Sequence, residues 1–284
     1  MERIKRATSY DVEWLETDRP QPLADTRIEQ LQQDVLLGKL DRDISNNVYD
    51  NFKIEVDTYF NSSQLNTLNG LDSFNRIDII NGCTQFIDNL YMQGRVQVLD
   101  GDYRYHMRLG LAIVSVPGHL VPNVPLVVAM PFPRIGAPHD KMKEILNECT
   151  EKNIPVHIDG AWVTCCRDVY FDFGHRAIQT VGISLSKGLG LGWNRVGLRY
   201  TRKINQDSVT IMNDFNMNLR APAMIGLYFV RNLPVDYLWN VYGDIYYKIC
   251  NDFNLTPTKS IYLALNSDSQ PVGLSPLIRY VAKQ

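Results

Sequence analysis

The sequence has no apolar run approaching the ~20 residues needed to span a bilayer, and no internal repeat or low-complexity linker. It has little net charge. Lys and Arg number 29 against 31 Asp and Glu, which leaves −2 and no electrostatic footprint for nucleic acid or an anionic membrane surface. Cysteine is scarce, at five in 284 residues. Cys83, Cys149, Cys165, Cys166 and Cys250 include one adjacent pair and no C-x-x-C. That spacing suits neither a disulfide framework nor a zinc site, and reads as small apolar side chains kept reduced. The basic start, 1-MERIKR-6, is not followed by an apolar stretch of the secretory kind. These absences lead to the expectation of a cytoplasmic protein with no metal, no nucleic-acid partner and no membrane partner.

What the chain does have is an alternation of helix-like and strand-like segments in a composition that is 45% hydrophobic and 21% charged. Residues 1–45 read as an arm with one amphipathic helix, near 26-TRIEQLQQDVLLGKL-40. From 46 to 219, short apolar runs predict strands at 77–80, 95–100, 111–116, 124–130, 155–159, 180–185 and 196–200. Helices are predicted at 50–61, 84–92 and 139–152. Strands of this kind separated by helices predict an α/β fold, three layers with a mostly parallel central sheet. Past residue 219 the texture changes. Helices are predicted at 222–233 and 235–253, then a short piece at 260–266 and the segment 275-SPLIRYV-281, so that 220–284 reads as a small C-terminal subdomain.

The segment 184-SLSKGLGLGWNRVG-197 places Lys187 between serines and glycines, with Arg195 eight residues on. A flexible glycine-rich turn is entropically costly to order, so a ligand is expected to reward the ordering. The turn follows a predicted strand, at the edge where open α/β sheets bind ligands. The strand 155-PVHID-159 brings Asp159 to the same edge, and 77-IDII-80 leads to Gly82, Cys83 and Thr84 at the start of a helix. One amine, one guanidinium, one carboxylate and one anion-binding helix end therefore converge. Pyridoxal 5′-phosphate would use all four. A lysine forms a Schiff base with its aldehyde, a carboxylate keeps its ring nitrogen protonated, and helix N–H groups with an arginine neutralise its phosphate.

The sequence resembles the fold-type I pyridoxal phosphate enzymes, in particular the class I/II aminotransferases. Their lysine block, S-x-x-K followed at eight by R-x-G, is matched by Ser184, Lys187, Arg195 and Gly197, and Ser186 lies within it. Their D-x-A-Y turn is matched by 159-DGAW-162, with Trp162 in place of tyrosine. The resemblance implies that Tyr103, in 100-DGDYRYH-106, stacks on the cofactor and that His106 stands behind the aspartate. It implies that Gly82, Cys83 and Thr84 form the phosphate cup. Tyr49 is implied to reach the phosphate of a neighbouring subunit in a homodimer, and Arg279, on a C-terminal strand, to bind the substrate α-carboxylate. The N-P-x-G asparagine of the family is missing from 131-PFPRIG-136. With Trp162 for tyrosine, both usual donors to the cofactor's phenolic oxygen are absent.

The function implied is an aminotransferase acting on amino acid and keto acid substrates through Lys187 and Asp159. Two alternatives stay open. One is a decarboxylase or aldolase-type lyase on the same fold, since 157-HIDGA-161 with 183-ISLSKGLG-190 also resembles threonine aldolases and H-x-D-x-A occurs in amino-acid decarboxylases. The other is a degenerate, non-catalytic cofactor-binding protein.

Overall fold

A computed structural model describes residues 3–5, 14–16, 23, 25–40 and 47–282. Much of the expected arm over 1–45 lies outside the described residues. Within the arm, β1 (Arg3–Lys5) and β2 (Trp14–Glu16) pair antiparallel, a pairing the polar sequence did not signal. Helix α1 (Thr26–Leu36) begins at Asp25, whose carboxylate accepts the Ile28 amide, and buries Ile28 and Leu31.

The main body then alternates strands and helices. In order they are α2 (Val48–Asn61), β3 (Thr67–Asn69), β4 (Arg76–Ile80), α3 (Cys83–Gln93), β5 (Gln97–Leu99), α4 (Arg104–Leu109), β6 (Ile113–Ser115), β7 (Leu126–Ala129), α5 (Met142–Glu151), β8 (Val156–Gly160), β9 (Tyr170–Asp172), β10 (Ile178–Ser184) and β11 (Gly197–Thr201). Seven of the strands form one sheet in the order β4-β11-β10-β8-β7-β5-β6. β10, β8, β7, β5 and β6 run parallel, and β11 is antiparallel to both its neighbours. Every residue of β7 and β11 is buried, as expected of strands covered on both faces, and β7 accordingly reads as a continuous apolar run. β3 and β9 form a separate parallel pair.

Beyond the sheet come α6 (Ser208–Asp214), α7 (Arg220–Asn232), α8 (Tyr237–Asp252), β12 (Thr256–Pro257), β13 (Leu263–Leu265), β14 (Pro271–Gly273) and α9 (Ser275–Val281). α7 packs its buried face, Ala223, Ile225, Leu227 and Phe229, into the main core. Gly226 permits the approach, because a methyl there would stand 2.6 Å from the Phe52 ring of α2. A second cluster is built around Trp239, Tyr242, Tyr246, Ile261 and Tyr262, and it joins α8, the three-stranded sheet β12-β13-β14 and α9. The segment expected to be a strand bearing Arg279 is instead helix α9. Pro276 stands in its first turn, where a missing N–H costs nothing, and Leu277 and Ile278 are buried.

At the other edge of the large sheet, Arg199 is anchored beneath α6. It donates to Asp78 and Asp207, each at 2.7 Å, and to Thr210 at 2.9 Å. Arg76 donates to Asp78 at 2.6 Å and to Asp214 at 2.7 Å. Removing one partner from such a buried network leaves an uncompensated charge, so the network fixes β4, and with it the start of α3, against the sheet.

Candidate active site

Strand register brings the expected residues to one edge. β10 pairs in parallel with β8 so that Gly182 faces Asp159, and β10 ends at Ser184, three residues before Lys187. Ser184 Oγ accepts the Ser186 amide at 3.1 Å and contacts Ser186 Oγ at 3.0 Å, which folds the chain into the lysine turn. β11 opens two residues after Arg195, and its Gly197 lies against Ser184 in a ladder that leaves no room for a side chain: a methyl there would be 2.1 Å from the Ile183 carbonyl.

Arg195 turns back to the start of α3. Its Nη2 donates to Thr84 Oγ1 at 2.7 Å and its Nε to the Asn81 carbonyl at 3.5 Å. Gly82, the residue before α3, has φ of 75° and ψ of 171°, a conformation reserved for glycine. A methyl there would stand 3.2 Å from Arg195 Nη2 and 3.4 Å from Ser184 Oγ. Among the described residues no side chain caps this helix start. The result is a cradle of N–H groups, hydroxyls and a guanidinium suited to a multiply charged anion such as a phosphate monoester.

Asp159 is 4% exposed and accepts the Ala161 amide at 3.0 Å. Burial raises its pKa, against the opposing pull of the Cys83 thiol, the Ala161 amide and the Arg195 charge. The Cys83 thiol lies between Asp159 and the Gly182 carbonyl, 3.4 Å from the latter. The lysine is largely buried as well. Burial pulls its pKa below that of an ordinary lysine, and Arg195 adds to the pull while Cys165 opposes it. A lysine so placed carries a larger share of neutral, nucleophilic amine at pH 7.

The remaining expected residues fall at differing distances from this centre. Tyr103 stands half-exposed at the N-terminus of α4, and its phenol is close enough to feel the charge of Asp159. Trp162 follows β8 and packs edge-on against Tyr262, ring centres 6.2 Å apart. His106 is buried, but its Nδ1 pairs with the Tyr91 hydroxyl at 2.8 Å. Burial alone takes its pKa down to about 4, and no charge from Asp159 enters. Tyr49, in the first turn of α2, donates to the Asn218 carbonyl at 2.7 Å. The charge of Arg279 reaches Tyr262, where it opposes the upward push of burial on the phenol.

Two residues were passed over in the sequence. Asp102 lies inside the quoted run 100-DGDYRYH-106 and is 5% exposed. It accepts the Tyr103 amide at 2.6 Å and the Ala129 amide at 3.2 Å. It thereby ties the α4 turn to the end of β7, beside Asp159. Burial lifts its pKa to about 7, with the Asp159 charge adding to the rise. Tyr262 comes from the C-terminal part, and its hydroxyl donates to the Lys187 carbonyl at 2.6 Å. No local pattern marks it, because its partner lies 75 residues away.

No protein-family model matches the sequence, and no curated protein matches it by sequence. Solved structures do match the fold. An aspartate aminotransferase from Thermotoga maritima superposes with a TM-score of 0.59 at 11% identity, over 94% of this chain and 78% of that one. An alanine aminotransferase from Pyrococcus furiosus gives 0.61 at 13%, over 92% and 75%. The histidinol-phosphate aminotransferase of Clostridium acetobutylicum gives 0.56 at 12%, over 87% and 80%. At these identities the likeness is one of fold, and the fold is that of the aminotransferases with a mostly parallel central sheet.

Proposed function

We propose that this chain is a pyridoxal phosphate-dependent aminotransferase acting on an amino acid. The observation that carries the reading is the meeting of three groups at neighbouring strand ends: the Gly82, Thr84 and Arg195 cradle, the buried Asp159, and the low-pKa Lys187. The donor set fits the cofactor. The cradle suits its phosphate, with Ser184 and Ser186 beside Gly82. Asp159, desolvated by burial, suits a protonated ring nitrogen, and Tyr103 and Trp162 offer aromatic surface. When bound, the cofactor supplies an aldehyde that condenses with amines and a ring that withdraws electrons from the substrate Cα.

The residues of the chain do the rest. With the cofactor bound, Lys187 would hold it, and the amine released to an incoming substrate would take the proton from the substrate Cα and, as the conjugate acid, give it to the former aldehyde carbon, the transfer that transamination requires. Asp159 would hold the cofactor's ring nitrogen, its carboxylate favouring the protonated form of that nitrogen. Arg279 holds the substrate α-carboxylate, for which a planar guanidinium is suited. A carboxylate held this way would be kept from leaving while the Cα proton stayed open to the Lys187 amine. His106 serves behind the site through Tyr91.

The reading includes a homodimer with sites shared between subunits. Trp193, in the loop between Lys187 and Arg195, is 96% exposed, and Phe215, Met217 and Leu219 are exposed beside Asn218, which holds the Tyr49 hydroxyl. Apolar surface of this kind is expected to be covered, and Tyr49 is the residue to reach the partner's phosphate. The described residues contain no helix long and apolar enough to cross a membrane. All five cysteines are free and buried, in keeping with a cytoplasmic setting.

The experiment is a donor screen. Protein loaded with pyridoxal phosphate is offered single amino acids while the bound-cofactor spectrum, pyridoxamine phosphate, keto acids, amines and aldehydes are followed. Pyridoxamine phosphate and a keto acid in equal amounts support the reading. Amine or aldehyde products point to a lyase, and a spectrum that no amino acid shifts points to a binding protein without turnover.

A further inference from the structure

The turn that carries Lys187 is held on both sides. Before it, Ser184 Oγ takes the Ser186 amide at 3.1 Å; after it, the Leu189 amide returns to the Leu185 carbonyl at 3.1 Å. Gly188 is pressed against Thr164, where a methyl would come within 2.3 Å of Oγ1. The carbonyl of Lys187 itself is held by a segment distant in sequence. It accepts the Tyr262 hydroxyl at 2.6 Å, and the Tyr262 hydroxyl oxygen in turn accepts the Leu23 amide at 3.1 Å.

Tyr262 is 0% exposed. Its own carbonyl accepts the Leu274 amide at 2.9 Å, and its ring packs edge-on to Trp162. One phenol oxygen thus joins the segment before α1, the lysine turn and the β12-β13-β14 sheet. In a turn flanked by Gly188 and Gly190, the orientation of the peptide after Lys187 determines where the four-carbon stem sends its amine. A directed hydrogen bond to that carbonyl fixes the ψ angle of Lys187 in a way that apolar packing does not.

We propose that Tyr262 is the positioning residue of Lys187, its hydroxyl setting the lysine backbone from the C-terminal sheet and so aiming the amine at the cofactor aldehyde. The proposal rests on the reading of the site given above. It places in the C-terminal part, at Tyr262, a phenol contact to the lysine turn, while Trp162 occupies the position of the family's tyrosine.

Two probes that differ in one group separate positioning from general support. Both compounds need the phosphate cradle and Asp159, but only pyridoxal phosphate, which has the aldehyde, also needs a well-aimed lysine. Dissociation constants for both are measured on the full chain and on Tyr262→Phe, which keeps the ring. Loss of one hydrogen bond to a buried carbonyl is expected to weaken pyridoxal phosphate about tenfold and to leave pyridoxamine phosphate unchanged. Equal weakening of both, or of neither, overturns the proposal. If Tyr262→Phe does not reach the wild-type fold by circular dichroism, 3,5-difluorotyrosine at position 262 decides. Its more acidic hydroxyl is a stronger donor, so pyridoxal phosphate should bind more tightly relative to pyridoxamine phosphate, and an unchanged ratio overturns the proposal. Wild-type protein that binds neither compound overturns the reading of the site and the proposal with it.

Discussion

Between β4 and β8 the residues of the site are placed by strand register, whereas from α8 onward they are placed by contacts between segments far apart in the chain. In the first region Asp159 stands next to last in β8 and Lys187 follows β10 because one ladder aligns the two strands, and Arg195 returns to Thr84 because β11 starts just beyond it. In the second, Tyr262 meets Lys187 through a single hydroxyl, and Arg279 stands on a helix where the family likeness implied a strand. A sheet edge tolerates wide sequence change while keeping its residues in place. A small terminal subdomain keeps its contacts only through the side chains that make them.

The comparison can be broken first at the register-placed centre. Lys187→Ala should reduce turnover by roughly 10⁴-fold while phosphate-held cofactor remains bound, read by steady-state rates and by cofactor content after gel filtration. Asp159→Asn should follow with a loss of roughly 10²–10³-fold in kcat/KM, because a neutral amide cannot stabilise a protonated ring nitrogen. A loss confined to KM would mean that Asp159 only shapes the site.

The second region should give smaller effects of a different kind. Arg279→Lys should weaken amino-acid binding by roughly 10–100-fold and leave cofactor affinity intact, since lysine cannot offer the bidentate fork. Amino-acid binding equal to that of the parent would place the carboxylate elsewhere and weaken the argument for transamination over decarboxylation.

The smallest effect concerns stability. Burial raises the pKa of Asp102 from 3.8 to about 7, so between those values the folded chain holds a proton that the unfolded chain releases. Stability contributed by this group is therefore lost as pH rises through that window. Asp102→Asn lacks the effect, so its stability relative to wild type should climb from about pH 4 to about pH 7 and then level off. Taking the difference removes the opposite trend from His106 and His157, whose pKa values burial lowers to about 4. A difference between the two proteins that does not vary with pH, in urea titrations, would show that Asp102 is ionised throughout.

The α/β architecture was legible because the apolar residues of β4, β7, β8 and β10 stand out as short runs, with Asn-Gly after β4, Asp-Gly at the end of β8 and Ser-Lys-Gly after β10 marking where they stop. The lysine and aspartate turns stood out in the sequence because the chemistry proposed for them calls for particular side chains a fixed step from a strand end. His106 was expected behind the aspartate; its Nδ1 pairs instead with Tyr91, a contact that depends on how α3 packs on α4, which spacing does not encode. Asp102 was hidden in a quoted motif. A carboxylate between glycine and tyrosine reads as a turn residue until the fold sets the Ala129 amide against it. The helix at α9 was missed because Pro276 and the short apolar run LIRYV fit a strand as well as a first turn. The β1–β2 pair had no apolar alternation to announce it.

The central claim is that Lys187 is the residue that takes the cofactor. Purified protein is incubated with pyridoxal phosphate, reduced with borohydride, digested and mapped by mass spectrometry. A single phosphopyridoxyl label on the peptide containing Lys187, lost in Lys187→Ala, is the result expected. Label on another lysine, or none under conditions where the cofactor is in excess, would contradict the account.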